Sequence, residues 1–199
     1  MSKILNWLIE LDKEFLVFIN SHHSPFWDHI MWFASSQAGW YPLYAFIIIL
    51  LIIKYKKKSW WLIFLIFPLI LISDQIASSI LKPLVMRPRP SHTPGMEDIL
   101  HYVNNYRGGE YGFVSSHAFN VFSLTFYLYF TVRKKLKWLL YILFPWAILV
   151  AYSRMYLGVH FATDIIVPIL LCIPISYGMS RLYFYGIAHF PFYTKPKIN

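Results

Sequence analysis

The sequence predicts an all-α fold: a polytopic membrane helix bundle of about five transmembrane spans, preceded by an N-terminal interfacial amphipathic helix. Three observations predict it. Of the 199 residues, 58% are hydrophobic and only 14% charged, whereas soluble domains average roughly 45–50% and about 25%. The apolar residues are contiguous, with no formal charge between Asp28 and Lys54 or between Glu110 and Arg133. Eight of the 18 basic residues form two tight clusters, Lys54/Lys56/Lys57/Lys58 and Arg133/Lys134/Lys135/Lys137. Such clusters at the ends of apolar runs are characteristic of cytoplasmic loops.

This composition excludes an ordinary soluble globule, a disordered tail and a collagenous chain. The length suits a single domain over residues 1–199. The formal charge of +9 sits largely in the two loop clusters, so no nucleic-acid partner is expected. A lone Cys172 excludes an intramolecular disulfide framework and any cysteine-based metal site. Aromatic residues make up 20%, which suits membrane–water interfaces.

Residues 3–20 alternate apolar and charged positions at helical spacing, with Leu5, Leu8, Leu11, Phe15 and Phe18 on one face. That pattern predicts a helix lying in the interface. Glu10, Asp12, Lys13 and Glu14 interrupt the run and no small-residue cleavage site follows, so it does not read as a signal peptide. Residues 21–25 form a turn. A short helix precedes the first span, 40–53, because Gly39 and Pro42 divide the uncharged stretch. The second span covers 59–81 with Asp74 inside it, and Pro83 disfavours helix at Lys82, so it should end there. A polar loop follows at 82–112. The remaining spans are 114–132, 138–153 and 163–185. If the basic clusters are cytoplasmic, the segments 82–113 and 153–163 face the other side, and the basic tail with Lys195 and Lys197 returns inside.

Three segments therefore meet on one face: Lys82 to Pro90, Val114-Ser115-Ser116-His117, and Ser153-Arg154 through His160 to Asp164. Together they hold cations, hydroxyls, two histidines and a carboxylate. Cations and donors converging on one point make an anion site, and phosphate is the commonest such anion. Residues 115–117 open a helix, whose amides add positive character. His160 and Asp164 are four residues apart, so on a helix they stack on one face. A carboxylate there can hold one ring nitrogen and leave the other facing a phosphorus. The intramembrane Asp74 is expected to bond a Ser or Tyr on a neighbouring helix. His22, His23, His29, His92, His101 and His189 match no motif, and no metal site or other cofactor is expected.

The spacing Lys82-x6-Arg89-Pro90, Ser115-x-His117 and Ser153-Arg154-x5-His160-x3-Asp164 resembles the three-part signature of the type 2 phosphatidic acid phosphatase superfamily, in its membrane branch. That resemblance implies metal-independent hydrolysis of a phosphomonoester or pyrophosphate through a phosphohistidine. It implies His160 as nucleophile, Asp164 as its orienter and His117 as acid/base. Lys82, Arg89 and Arg154 take the phosphate-clamp positions, with Ser115 and the amide of Ser116 beside them. The expected partners are membrane lipids and a lipid-phosphate or polyprenyl pyrophosphate substrate. Undecaprenyl pyrophosphate, phosphatidylglycerophosphate, phosphatidic acid and a lipid A phosphate all fit. The expected location is a bacterial inner membrane, with the site on the periplasmic face. A phosphotransferase and a non-catalytic headgroup binder or scramblase are the competing readings.

Two features depart from the family's pattern. Ser116 stands where the family usually has glycine, which is harmless if the position needs only a close amide rather than positive φ. The chain is also expected to start with the interfacial helix and to lack the first of the six spans of many bacterial members. Arg87 repeats the Arg-Pro form outside the motif spacing, which predicts a headgroup or loop contact.

Overall fold

The computed structural model describes residues 3–190, apart from the side chain of Leu5, so the predicted basic tail lies outside the described residues. The described residues are helical, with no strand among them and one isolated bridge, Pro88 to Tyr111. Helix α1 (Lys3–Ser21) and helix α2 (Pro25–Ser35) are joined by a short turn, and both pack against the helix Lys137–Tyr156. Ser24 caps α2 by accepting from the Trp27 amide, and Pro25 occupies its first turn, where a missing N–H costs nothing. Among the described residues, four helices are long and apolar enough to cross a membrane: Ala38–Tyr55, which contains α3 (Tyr41–Tyr55), Lys57–Val85, Lys137–Tyr156 and Thr163–His189.

The second of these begins as α4 (Lys57–Gln75) and continues through a π-helical segment, Ile76–Leu81, into a last turn at Lys82–Val85. Here the sequence expectation fails. Pro83 does not stop the helix at Lys82. The wider π segment precedes it, and it sits at the start of the last turn, where its missing N–H is tolerated. The stop comes at Met86, in the left-handed region with φ 48°. The α3–α4 junction is also tighter than expected: Lys56 alone breaks the helix, with φ 49°.

Helix α5 (Ser116–Val132), with 17 residues, is shorter than the four crossing helices and is the centre of the bundle. It packs against α4, α6 (Lys137–Tyr156) and α7 (Thr163–His189). Among apolar lipids, helix association relies on packing and interhelical hydrogen bonds rather than on the hydrophobic effect. Such bonds are present: Ser73 to Ser123 at 2.8 Å, Ser176 Oγ to the Ser123 carbonyl at 2.9 Å, and Tyr127 Oη to the Leu62 carbonyl at 3.0 Å. It is thus Ser73, not Asp74, that bonds a neighbouring helix. Asp74 is partly buried, accepts no side-chain hydrogen bond among the described residues, and acts electrostatically on Lys82.

The amphipathic reading of α1 holds with a twist. Its apolar stripe, Leu8, Leu11, Phe15 and Phe18, is exposed, as a lipid-facing surface requires. Its buried face carries Asp12, Leu16, Ile19 and Asn20. Asn20 donates to the carbonyls of His101 and Tyr156 and accepts from the His101 amide, tying α1 to the 86–115 loop and to the end of α6.

The two basic clusters lie at one end of the bundle, where Lys135 Nζ sits 5.2 Å from the Tyr55 ring centroid. Lys82 lies at the far end of α4, about 38 Å from Lys57 at about 1.5 Å per residue.

Candidate active site

That far end gathers the residues of the three motif segments. The last turn of α4 supplies Lys82, and the loop after it supplies Arg89. The start of α5 supplies Ser115, Ser116 and His117. The end of α6 supplies Arg154, and the turn into α7 supplies His160 and Asp164. Gly158 makes that turn, with φ +69°, a region that glycine enters at no steric cost. His117, His160, Lys82, Arg89 and Arg154 lie close enough to act on one another electrostatically.

His160 is buried, at 1% exposure. Its Nδ1 lies 3.4 Å from Asp164 Oδ2 and its Nε2 lies 3.1 Å from Arg89 Nη1. A guanidinium only donates, so Nε2 must be the unprotonated acceptor and Nδ1 must carry the proton toward Asp164. Burial, then the charges of Arg89, Arg154 and Lys82, hold this imidazole well below its ordinary pKa, hence neutral. The structure thus presents one lone pair at Nε2.

Asp164 is fully buried and heavily bonded. Its Oδ2 also accepts from the Phe161 amide at 3.0 Å, and its Oδ1 accepts from Arg87 Nη1 at 3.0 Å. Its backbone carbonyl accepts from the Ser115 amide at 2.8 Å, which locks the start of α5 to the start of α7. Gly112 passes so close that a Cβ there would meet Asp164 Oδ2 at 3.0 Å.

The cations are held without being neutralised. Lys82 Nζ donates to Ser116 Oγ at 2.9 Å. Arg89 Nη1 also donates to the Val159 carbonyl at 3.3 Å. Arg154 donates to Ser35 Oγ and, at 3.3 Å, to Tyr106 Oη. Both Arg89 Nε and Arg154 Nε are buried without a hydrogen-bond partner. Buried donors of this kind are costly unless something accepts from them, and here they point to an anion. Burial pushes the Tyr106 hydroxyl up, but the charges of Arg154 and Arg89 outweigh it and leave it below its ordinary value.

Ser115 spends its hydroxyl as the N-cap of α5, accepting from the Ala118 amide. Ser116 is helical and is not among the residues with positive φ, so the serine replacing the family's glycine carries no backbone strain.

Sequence reasoning missed four residues: Arg87, Asp12, Ser35 and Tyr106. Arg87 is not a headgroup or loop contact: it bridges Asp164 and Asp12. Ser35 and Tyr106 hold Arg154. No linear spacing signals them, because their partners lie 48 to 151 residues away. The unplaced histidines also gained a role. His23, Asp28 and His101 come together with potential ligand atoms within 4.8 Å of one another. The His23 and His101 rings, however, stack with centroids 3.7 Å apart and planes within 8°. Imidazole lone pairs lie in the ring plane, so two parallel rings cannot aim at one ion. Asp28 instead accepts from Tyr156 Oη at 2.7 Å and pairs with His101 Nε2 at 2.9 Å, latching α2 to the loop and to α6.

Beside His117 a mainly apolar cavity of about 340 Å³ runs between α3, α4, α5 and α6, lined by Trp40, Tyr44, Ile66, Ile70 and Trp146 among others.

A helix bundle built for a membrane, with a neutral imidazole, a carboxylate and unneutralised cations at one end, defines a membrane enzyme that handles phosphoryl groups. The chain belongs to the PAP2 superfamily, whose sequence profile matches residues 63–188. It is 35% identical over 188 residues to a lipid A 4'-phosphatase of Bacteroides thetaiotaomicron, spanning 94% of this chain and 80% of that protein. It is 33% identical over 186 residues to a lipid A 4'-phosphatase of Porphyromonas gingivalis, spanning 92% and 77%. Among solved structures it is similar to Aquifex aeolicus LpxE, with a TM-score of 0.59 and 26% identity over 88% of this chain and 95% of that one. It shares its fold with a Bacillus subtilis transmembrane phosphatidylglycerolphosphate phosphatase, with a TM-score of 0.66 and 19% identity over 93% and 90% of the two chains.

Proposed function

We propose that this membrane lipid phosphatase removes a phosphate monoester from lipid A, acting as a single domain on the extracytoplasmic face of a bacterial inner membrane. The observation that carries the chemistry is the unprotonated Nε2 of His160 set among Arg89, Arg154 and Lys82. The relatives named as lipid A 4'-phosphatases support the substrate. The basic clusters at the opposite end of the bundle support the sidedness.

His160 Nε2 attacks the phosphorus, forming the N–P bond as the P–O bond to the sugar breaks. Arg89 shifts its donor from Nε2 to a phosphoryl oxygen, and Arg154 and Lys82 hold the other oxygens. Charge stabilisation of this kind supplies most of the catalysis in phosphoryl transfer. His117 gives a proton to the leaving oxygen. It then takes one from water, whose oxygen attacks phosphorus as the N–P bond breaks, returning the lone pair to Nε2 and releasing inorganic phosphate. Asp164 keeps the proton on Nδ1 throughout. The apolar cavity beside His117 receives part of the lipid.

The test is phosphate release by protein in nanodiscs. The substrates are lipid A, phosphatidylglycerophosphate, phosphatidic acid and undecaprenyl pyrophosphate, with mass analysis of the lipid product. Release of free phosphate with loss of one phosphate from lipid A, above the other three, is expected. Binding without release, or transfer of the phosphoryl group to a second lipid, would overturn the proposal.

A further inference from the structure

Asp164 lies within a chain of buried charge that reaches outside the three motifs. Arg87 Nη1 donates to Asp164 Oδ1 at 3.0 Å and to Thr163 Oγ1 at 2.6 Å, and Arg87 Nη2 donates to Asp12 Oδ2 at 2.7 Å. Asp12 Oδ1 accepts from the Thr163 amide at 3.1 Å, and Oδ2 also accepts from Thr163 Oγ1. The Arg87 guanidinium lies 4.0 Å from the Phe161 ring centroid, a cation–π distance. Side-chain exposure is 23% at Arg87, 4% at Asp12 and 0% at Asp164.

We infer that Arg87 and Asp12 are positioning residues for the phosphatase reaction, and that the interfacial helix α1 is thereby part of the catalytic unit. The inference rests on the proposed role of His160. A fully buried carboxylate needs both charge compensation and directed hydrogen bonds. Arg87 provides both on Oδ1. That leaves Oδ2 for the Phe161 amide and for Nδ1 of His160, which sets the tautomer that exposes Nε2. A guanidinium with five donors in a fixed fork can serve two carboxylates and a hydroxyl at once, whereas an ammonium holds no such fork. Asp12 fixes that fork from the far side and also pins the Thr163 amide at the first turn of α7. The geometry of α1 matches this role. Asp12 shares the buried face with Leu16, Ile19 and Asn20, while the opposite, apolar stripe is exposed. The helix therefore brings one carboxylate into the protein, next to the machinery.

The test compares wild type, Arg87→Gln, Arg87→Lys, Asp12→Asn and His160→Ala as full-length proteins in nanodiscs, with an aryl phosphate as substrate. Removing an outer partner that orients a catalytic group typically costs about 10–100-fold. Arg87→Gln should lower kcat by about that much with KM changed less than about threefold. The acid limb of its pH profile should move to higher pH, because without the cation the Asp164 carboxylate titrates into the limb that His160 sets in the wild type. Arg87→Lys should recover part of kcat and the pH profile. Asp12→Asn should lower kcat more weakly and move the acid limb the other way, to lower pH, because it removes a like charge from beside Asp164. Wild-type kcat and pH profile in Arg87→Gln and Asp12→Asn would overturn the inference. So would loss of activity only together with loss of the thermal unfolding transition in both, which would make the pair a folding element. Activity surviving in His160→Ala would instead refute the underlying nucleophile assignment.

Discussion

Arg89 Nη1 stands 3.1 Å from His160 Nε2, and this one contact fixes the protonation of the imidazole. Because the guanidinium cannot accept, Nε2 keeps its lone pair and Nδ1 keeps the proton. The same contact occupies the lone pair until a phosphoryl oxygen draws Arg89 away. Ground state and reactive state thus differ by one exchange of hydrogen-bond partner.

The carboxylate beyond Nδ1 should matter more for rate than for binding. Asp164→Asn keeps the shape of the side chain but can turn an amide N–H toward the ring, favouring the wrong tautomer. We expect kcat to fall by up to about 10⁴, the loss when a catalytic histidine's orienting aspartate becomes asparagine, with KM changed less than about threefold. Steady-state kinetics on an aryl phosphate check this, and a variant impaired mainly in KM would contradict it.

The pH dependence follows from the charge around His160. Burial and the neighbouring cations hold its pKa well below the ordinary 6.5. A nucleophile must be neutral, and a lowered pKa keeps it neutral as the pH falls through 6.5. The acid limb of kcat/KM, which reports the free enzyme, should therefore lie clearly below pH 6.5 once the ionisation of the substrate is allowed for. A limb centred at pH 6.5 would contradict the reading.

Ser116 tests the departure from the family motif. Its φ is helical, and its hydroxyl accepts from Lys82 and shares a hydrogen bond with the Ser78 hydroxyl. Ser116→Gly should leave kcat within about threefold, while the thermal transition falls slightly. Glycine in a helix costs about 0.5–1 kcal/mol. A gain or loss in kcat above tenfold would give the serine hydroxyl a direct part in the reaction.

Much of this was legible in the sequence. Long uncharged runs gave the spans and basic clusters gave the ends, because lipid solvent leaves a strong compositional imprint. The motif residues were legible because three short segments each carry several reactive side chains at fixed spacing. Arg87 and Asp12 were not. An acidic residue on an amphipathic helix reads as solvated, and only the fold shows that Asp12 shares its buried face with Leu16, Ile19 and Asn20. The continuation of α4 through Pro83 was equally hidden, because a π-helical segment leaves no sequence periodicity of its own. His101 and Asp28 pair across 73 residues, beyond any local pattern.

Sidedness can be read by labelling. In a Cys172→Ser background, cysteines at Gly95 or Asn104, in the loop that carries Arg89, should react with an impermeant thiol reagent in intact cells. A cysteine at Lys135, exposed at the basic end, should not. The reverse pattern would place the site on the cytoplasmic face.

The most direct test of the account separates the two histidines by denaturing mass spectrometry after brief exposure to nitrophenyl phosphate. This substrate's leaving group needs no proton. In His117→Ala, attack by His160 should survive while hydrolysis lacks its base. General acid–base help is worth about 10²–10⁴ in rate, so a phosphorylated, acid-labile and base-stable protein should accumulate. In His160→Ala no phosphoryl group should be found. A phosphorylated His160→Ala protein, or a His117→Ala protein that never carries the phosphoryl group, would contradict the assignment of His160 as nucleophile.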